Sequence, residues 1–143
     1  MEIFLFAMEF NKFDLFFLNI VFILLFFIKN YIKIMFYIKK RLEISASHHL
    51  FLSKQSKCEN LHGHNFIIYV YCKSEELDKD GMVVDFTDIK KIVHGTMDHK
   101  NLNEVFDFNP TSENIAKWIV DNVPKCYKAV VQESENNEAI YEK

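Results

Sequence analysis

The chain has 143 residues with a formal net charge of −3, and half of them are hydrophobic, which is enough for one domain with a real core. Its 17 basic residues are scattered among 20 acidic ones without forming a patch, so nucleic acid is not an expected partner. Cys58, Cys72 and Cys126 are an odd number without framework spacing and predict a reducing, cytoplasmic setting.

Residues 1–34 differ in character from the rest of the chain. The run from Leu15 to Ile28 is almost all apolar, yet it contains Asn19, comes after Asp14 and falls short of the roughly 20 residues a membrane helix needs. Glu2 and Glu9 ahead of Lys12, with no small-residue cleavage site, argue against a signal peptide. The composition, dominated by Phe, Ile, Asn, Lys and Leu, is that of translated AT-rich upstream DNA, and Met35 stands just before the first strand-like segment. An upstream-translation artefact is the expected reading. A weak membrane anchor, with Lys29, Lys33, Lys39, Lys40 and Arg41 keeping the domain after it cytoplasmic, and a buried helix are the alternatives. Residues 35–143 form the expected domain.

From Phe36 to Ala46, Ile38, Leu42, Ile44 and Ala46 share one parity opposite mostly polar residues, which predicts a half-buried strand. His48 continues that parity. Leu50 to Asn60 is polar, lysine-rich and without helical period, a loop that would carry Cys58 back over the strand end. Asn65 to Cys72 is β-branched and aromatic, a strand continuing directly from His62 and His64, with Cys72 on its inner face as a small buried side chain.

A charged turn from Glu75 to Gly81 leads through Met82–Phe86 into a helix over about Thr87 to Thr96, in whose last turn His94 reads as a solvated residue. Met97-Asp98-His99 holds a carboxylate beside an imidazole, an arrangement that suits a proton carrier. Pro110 with Thr111 or Ser112 as cap starts a second helix, whose buried side is Ile115, Ala116, Trp118, Ile119 and Val123. Val130–Ser134 and Ala139–Tyr141 close the chain as strands, with Cys126 in the connection before them. The order β-β-α-α-β-β predicts an α+β fold, a sheet with two helices on one side.

The chemistry concentrates in Cys58-Glu59-Asn60-Leu61-His62-Gly63-His64. His62 and His64, two apart on a strand, leave the same face, and Gly63 between them lets partner backbone approach. A lone His-x-His is ordinarily surface chance, but His48 at the end of a neighbouring strand supplies a third nitrogen. Three neutral imidazoles with a fourth position left for water or substrate is the layout of a catalytic zinc site.

In these pieces the chain resembles the 6-pyruvoyl-tetrahydropterin synthase family, and within it the bacterial 6-carboxy-5,6,7,8-tetrahydropterin synthases of queuosine biosynthesis. The resemblance is carried, in family order, by Ile44–Leu50, Cys58-x-x-x-His62-Gly63-His64, Gly81–Phe86, Met97–Asn103, Asn109–Asn114 and Gln132-Glu133-Ser134. It implies a T-fold subunit with a four-stranded antiparallel sheet that oligomerises into a barrel, as trimers stacked into hexamers, with active sites at subunit interfaces. It also implies Zn2+ on His48, His62 and His64, the catalytic thiol on Cys58, relay partners Asp98 and His99, and pterin binding by Glu133, with Thr111 and Ser112 nearby.

The implied activity is that of a carbon–oxygen and carbon–carbon lyase. It converts 7,8-dihydroneopterin triphosphate to 6-carboxy-5,6,7,8-tetrahydropterin, with release of acetaldehyde and triphosphate. The three residues between Cys58 and His62 are the short spacing of the queuosine branch. Glu59 resembles instead the branch that forms 6-hydroxymethyl-7,8-dihydropterin for folate, as an alternative acid or base, though a glutamate in a polar loop needs no special role. A 6-pyruvoyl product and a non-enzymatic zinc-binding T-fold oligomer are the remaining alternatives.

Overall fold

The computed structural model describes residues 12–31 and 34–143. The chain divides into two compact units, 1–34 and 35–143. In the first, Lys12–Tyr31 forms helix α1. Among the described residues no helix is long and apolar enough to cross a membrane. The features noted at Glu2, Glu9 and Lys33 lie outside the described residues.

The second unit is one antiparallel sheet in the order β1-β2-β3-β4, formed by β1 (Phe36–His48), β2 (His62–Ser74), β3 (Cys126–Ser134) and β4 (Asn137–Glu142). Helices α2 (Phe86–Met97), α3 (Leu102–Val105) and α4 (Ser112–Asn122) lie between β2 and β3 in sequence. This is the expected α+β arrangement with a four-stranded antiparallel sheet. Strict parity builds its core: Leu42, Ile44, Ala46 and His48 of β1 and Phe66, Ile68, Val70 and Cys72 of β2 are all buried on one face. Ile89, Val93 and Met97 of α2 and Ile115, Ala116 and Ile119 of α4 pack into the same cluster, so both longer helices cover that face.

Several boundaries differ from the sequence expectation. The loop before β2 contains a short 3-10 turn over Lys57–Glu59, and α3 is an additional single turn. Helix α2 begins at Phe86 and runs on to Met97, because Asp85 caps its start through the Thr87 N–H and Asp98 ends it. Cys126 lies inside β3 rather than in a connection. Lys125, with φ of 56°, turns the chain so that Cys126 pairs with Cys72. At the other end, unbroken pairing of β1 with β2 sets His48 directly opposite His62. A side chain on Gly63 would come 3.3 Å from the Ala46 carbonyl oxygen, so glycine permits this close pairing.

Candidate metal centre and its surroundings

His48, His62 and His64 converge where β1 ends and β2 begins. Their rings lie edge to face or tilted, with centroids 4.6 Å apart for His48 and His62, 4.9 Å for His62 and His64, and 5.3 Å for His48 and His64. One side-chain atom from each ring and one from Glu133 fall within 4.8 Å of one another. The Glu133 Oε1 is 2.9 Å from His64 Nε2 and 3.3 Å from His48 Nε2.

The far side of each ring fixes what the near side offers. His48 Nδ1 is 2.9 Å from the Pro110 carbonyl oxygen and His62 Nδ1 is 2.7 Å from the Asn60 carbonyl oxygen. A carbonyl only accepts, so each Nδ1 carries the proton and donates it, leaving the Nε2 lone pair free. Burial pushes the His64 imidazole below its ordinary pKa, and the neighbouring His48 and His62 rings add to the fall against the pull of Glu133. The buried Nε2 atoms of His48 and His64 have no hydrogen-bond partner despite the nearby carboxylate oxygen. The short distances lack hydrogen-bond direction, and the lone pair of His48 Nε2 facing an anion is repulsive. A cation in their midst removes that repulsion, so the donor set fits a divalent metal.

The segment after β1 is pinned by two side-chain amides. Asn103 accepts from the His49 N–H and donates to the His49 carbonyl, both at 2.8 Å. Asn109 does the same for Phe51, at 3.0 and 2.9 Å. His49 turns its ring onto Phe51, apart from the three converging histidines. Cys58 is half-buried in the 3-10 turn, and its carbonyl accepts from the Leu50 N–H at 2.8 Å, which ties it to the end of β1. Its thiol is not among the converging atoms. The side chain of Glu59 accepts from the Ser56 N–H at 3.0 Å while Ser56 Oγ accepts from Cys58 N–H, so Ser56 caps this turn and Glu59 completes its capping box.

Glu133 links two places. Its Oε2 accepts from Ser112 Oγ at 3.3 Å, and both residues line a recess of about 480 Å³ with Leu50, Thr111, Asn137 and Ala139. Thr111 caps α4 through the Asn114 N–H, which leaves the Ser112 hydroxyl free for Glu133.

Asp98 and His99 lie elsewhere. Asp98 Oδ1 accepts from the Ser45 N–H at 3.0 Å, and the His99 N–H donates to the Ser45 carbonyl at 2.7 Å. His99 is 80 % exposed with φ of 56°, a left-handed conformation unusual for a side-chain-bearing residue. It borders an open recess with Ser45, Ser47 and Asn65, which have the outward parity of β1 and β2. His64 lines the same recess, while the His99 ring is not among the converging side chains. Among the described residues no hydrogen bond or ion pair joins Cys58 to Asp98 or His99.

His94, read from sequence as solvated, instead faces Asp98. Its Nδ1 is 3.4 Å from Asp98 Oδ2, and His99 Nδ1 is 3.1 Å from the same oxygen. Burial alone would raise the Asp98 pKa, but the Ser45 N–H and then His99 and His94 hold the carboxyl below its ordinary range.

Residues 37–143 match the family described as 6-pyruvoyl tetrahydropterin synthase. The chain belongs to that family. It is 34% identical over 119 residues to the 6-carboxy-5,6,7,8-tetrahydropterin synthase of Bacillus subtilis, covering 71% of this chain and 82% of the relative. It is 35% identical over 127 residues to the human 6-pyruvoyl tetrahydrobiopterin synthase, covering 71% and 88%. It is 42% identical over 88 residues to the dihydroneopterin monophosphate aldolase of Pyrococcus furiosus, covering 59% and 72%. The fold is similar to that of the Caenorhabditis elegans 6-pyruvoyl tetrahydropterin synthase, with a TM-score of 0.62 and 29% identity over 77% of this chain and 96% of that one.

Proposed function

We propose that this family member is a zinc-dependent lyase that converts 7,8-dihydroneopterin triphosphate to 6-carboxy-5,6,7,8-tetrahydropterin, releasing acetaldehyde and triphosphate, for queuosine synthesis in the cytoplasm. The observation that carries an enzymatic reading is the convergence of His48, His62 and His64, with the Nδ1 protons of His48 and His62 turned outward, while the backbone of Cys58 is hydrogen-bonded to Leu50 just past the end of β1. The short Cys58–His62 spacing and the similarity to the Bacillus subtilis synthase favour the carboxy product.

Zinc held by the three histidines would supply Lewis acidity toward a side-chain oxygen of the substrate, which makes the adjacent C–H proton removable. The Cys58 sulfur takes that proton. Glu133 accepts two hydrogen bonds from the ring N–H and exocyclic amine of the pterin, which occupies the recess with Ser112 and Thr111 at its wall. Asp98 and His99 reach the reacting carbon from the adjacent subunit of a homotrimer or hexamer, a reading supported by the lack of any hydrogen bond or ion pair from Cys58 to either of them among the described residues. Residues 1–34 take no part, and a chain of residues 35–143 is expected to turn over substrate with the kcat/KM of the full chain.

The Pyrococcus furiosus relative favours a second reading, release of 6-hydroxymethyl-7,8-dihydropterin with Glu59 as acid or base. Against it, the Glu59 carboxylate is engaged in capping the Cys58 turn. Product analysis with 7,8-dihydroneopterin triphosphate and zinc tests the proposal. Acetaldehyde with a carboxypterin supports it. Hydroxymethylpterin or pyruvoylpterin as main product overturns the branch assignment, and no consumption of substrate supports a structural zinc-binding oligomer.

A further inference from the structure

Cys72 and Cys126 meet at the end of the sheet remote from the histidines. They are direct cross-strand partners on β2 and β3. His62 and Cys72 are ten residues apart on one strand, or about 33 Å at ~3.3 Å per residue, so this pair is separate from the candidate metal centre and from Cys58. The extra residue Tyr127 makes a bulge in β3 beside the pair, and the Lys73 N–H donates to the Lys125 carbonyl at 3.0 Å on its other side. The strands are thus held together around two free thiols. Directly opposed antiparallel residues have Cα atoms about 4.5–5.5 Å apart, inside the span a disulfide requires.

The two sulfurs are not equivalent. Cys72 is fully buried, and Cys126 is half-buried. The neighbouring Cys126 thiol and burial push the Cys72 thiol up, while the Cys72 thiol brings Cys126, whose Sγ lies 3.4 Å from the Lys128 carbonyl oxygen, down against its own desolvation. Cys126 is therefore both the reachable sulfur and the readier thiolate.

We propose that Cys72 and Cys126 form a second reactive site, a dithiol that hydroperoxides convert to an intrachain disulfide. The Cys126 thiolate attacks the terminal peroxide oxygen, the O–O bond breaks, and the other oxygen leaves as alcohol or water after taking a proton. The Cys126 sulfenic acid is then attacked by the Cys72 sulfur, the S–O bond breaks, and water leaves with the Cys72 proton. Two thiols lose two electrons and the peroxide is reduced by two. The bridge closes the segment that carries α2, α3 and α4.

The test treats the full zinc-loaded chain with hydrogen peroxide, alkylates remaining thiols in denaturant, and maps cysteines by peptide mass spectrometry. The expected result is a reductant-sensitive peptide pair joining Cys72 to Cys126 in most chains, lighter than its reduced parts by two hydrogen atoms. It forms unchanged in Cys58→Ala and is lost in Cys126→Ser, where Cys72 stays fully alkylatable. Cys72 alkylated in wild-type chains after oxidation, or a bridge from Cys126 to Cys58 or to another chain, would overturn the proposal. The wild-type map decides the matter even where a variant folds poorly.

Discussion

The Glu133 carboxylate oxygen stands 2.9 Å from His64 Nε2, inside the cluster that could hold a metal. Two roles compete for this carboxylate, fourth metal ligand or pterin clamp, and its second oxygen, turned to Ser112 in the recess, favours the clamp. Glu133→Gln is then expected to keep stoichiometric zinc while KM rises at least ~10-fold, the scale of one lost charge-assisted hydrogen bond. Zinc content by atomic emission beside steady-state kinetics separates the roles. A variant purified without zinc would make Glu133 a ligand.

Metal removal has a stability consequence of its own. The His48 and His64 Nε2 atoms are buried and unbonded, so without a cation the site keeps its desolvation and repulsion. Chelation is expected to lower Tm, with recovery on adding zinc back, and His64→Ala to weaken zinc binding by ~100-fold or more. A chelator-treated protein melting at an unchanged temperature would contradict a bound metal.

Much of this centre is legible in the sequence because β-strand parity is unforgiving. With Leu42, Ile44 and Ala46 inward, His48 has to point inward too, and His62 and His64 join Phe66 and Ile68 by the same count. Contacts made at long range are not legible: nothing near Asn103 or Asn109 in sequence announces that each clamps backbone more than fifty residues away. The contact of His94 with Asp98 is hidden for a different reason, since it exists only if α2 runs to Met97. The capping box at Glu59 does have a signal, Ser56-x-x-Glu59, which the lysine-rich surroundings obscure. The pairing of Cys126 with Cys72 depends on the left-handed turn at Lys125, which has no glycine to mark it.

The Asn103 clamp should matter to the metal although Asn103 touches no histidine ligand. It fixes the backbone of His49, adjacent to His48, through two hydrogen bonds of 2.8 Å. Asn103→Ala is expected to cost about 1–3 kcal/mol of stability and to weaken zinc binding by about 10–100-fold. Urea unfolding and competition with a chromogenic chelator measure the two effects. Asn103→Asp, which keeps an acceptor for the His49 N–H, should recover part of both.

Asp98 gives a pH dependence whose sign is set by its lowered pKa. Between that folded value and the ordinary 3.8 the unfolded chain binds more protons, so stability rises with pH there. The Asp98 contribution is complete above 3.8 and lost as pH falls through the folded value. Asp98→Asn should therefore be less stable than wild type at neutral pH and converge with it in acid. Urea midpoints measured from neutral pH down into the acid range below the ordinary carboxylate value check this, and a constant difference across that range would show that ionised Asp98 contributes nothing.

No hydrogen bond or ion pair joins Cys58 to His99 among the described residues, and under the proposed function two chains share one active site. Cys58→Ala and His99→Ala homo-oligomers should each lose ~10²–10⁴-fold in kcat, the usual contribution of a positioned acid or base. Zinc should remain in both, because neither side chain belongs to the converging set. Mixing the two variants under conditions that exchange subunits pairs an intact Cys58 from one chain with an intact His99 from its neighbour. With random assembly about a quarter of the sites are whole, and activity should return to about that fraction of wild type. Activity that stays at the level of the separate variants, while exchange is verified by native mass spectrometry, would place both residues' action within one chain or remove one of them from the reaction.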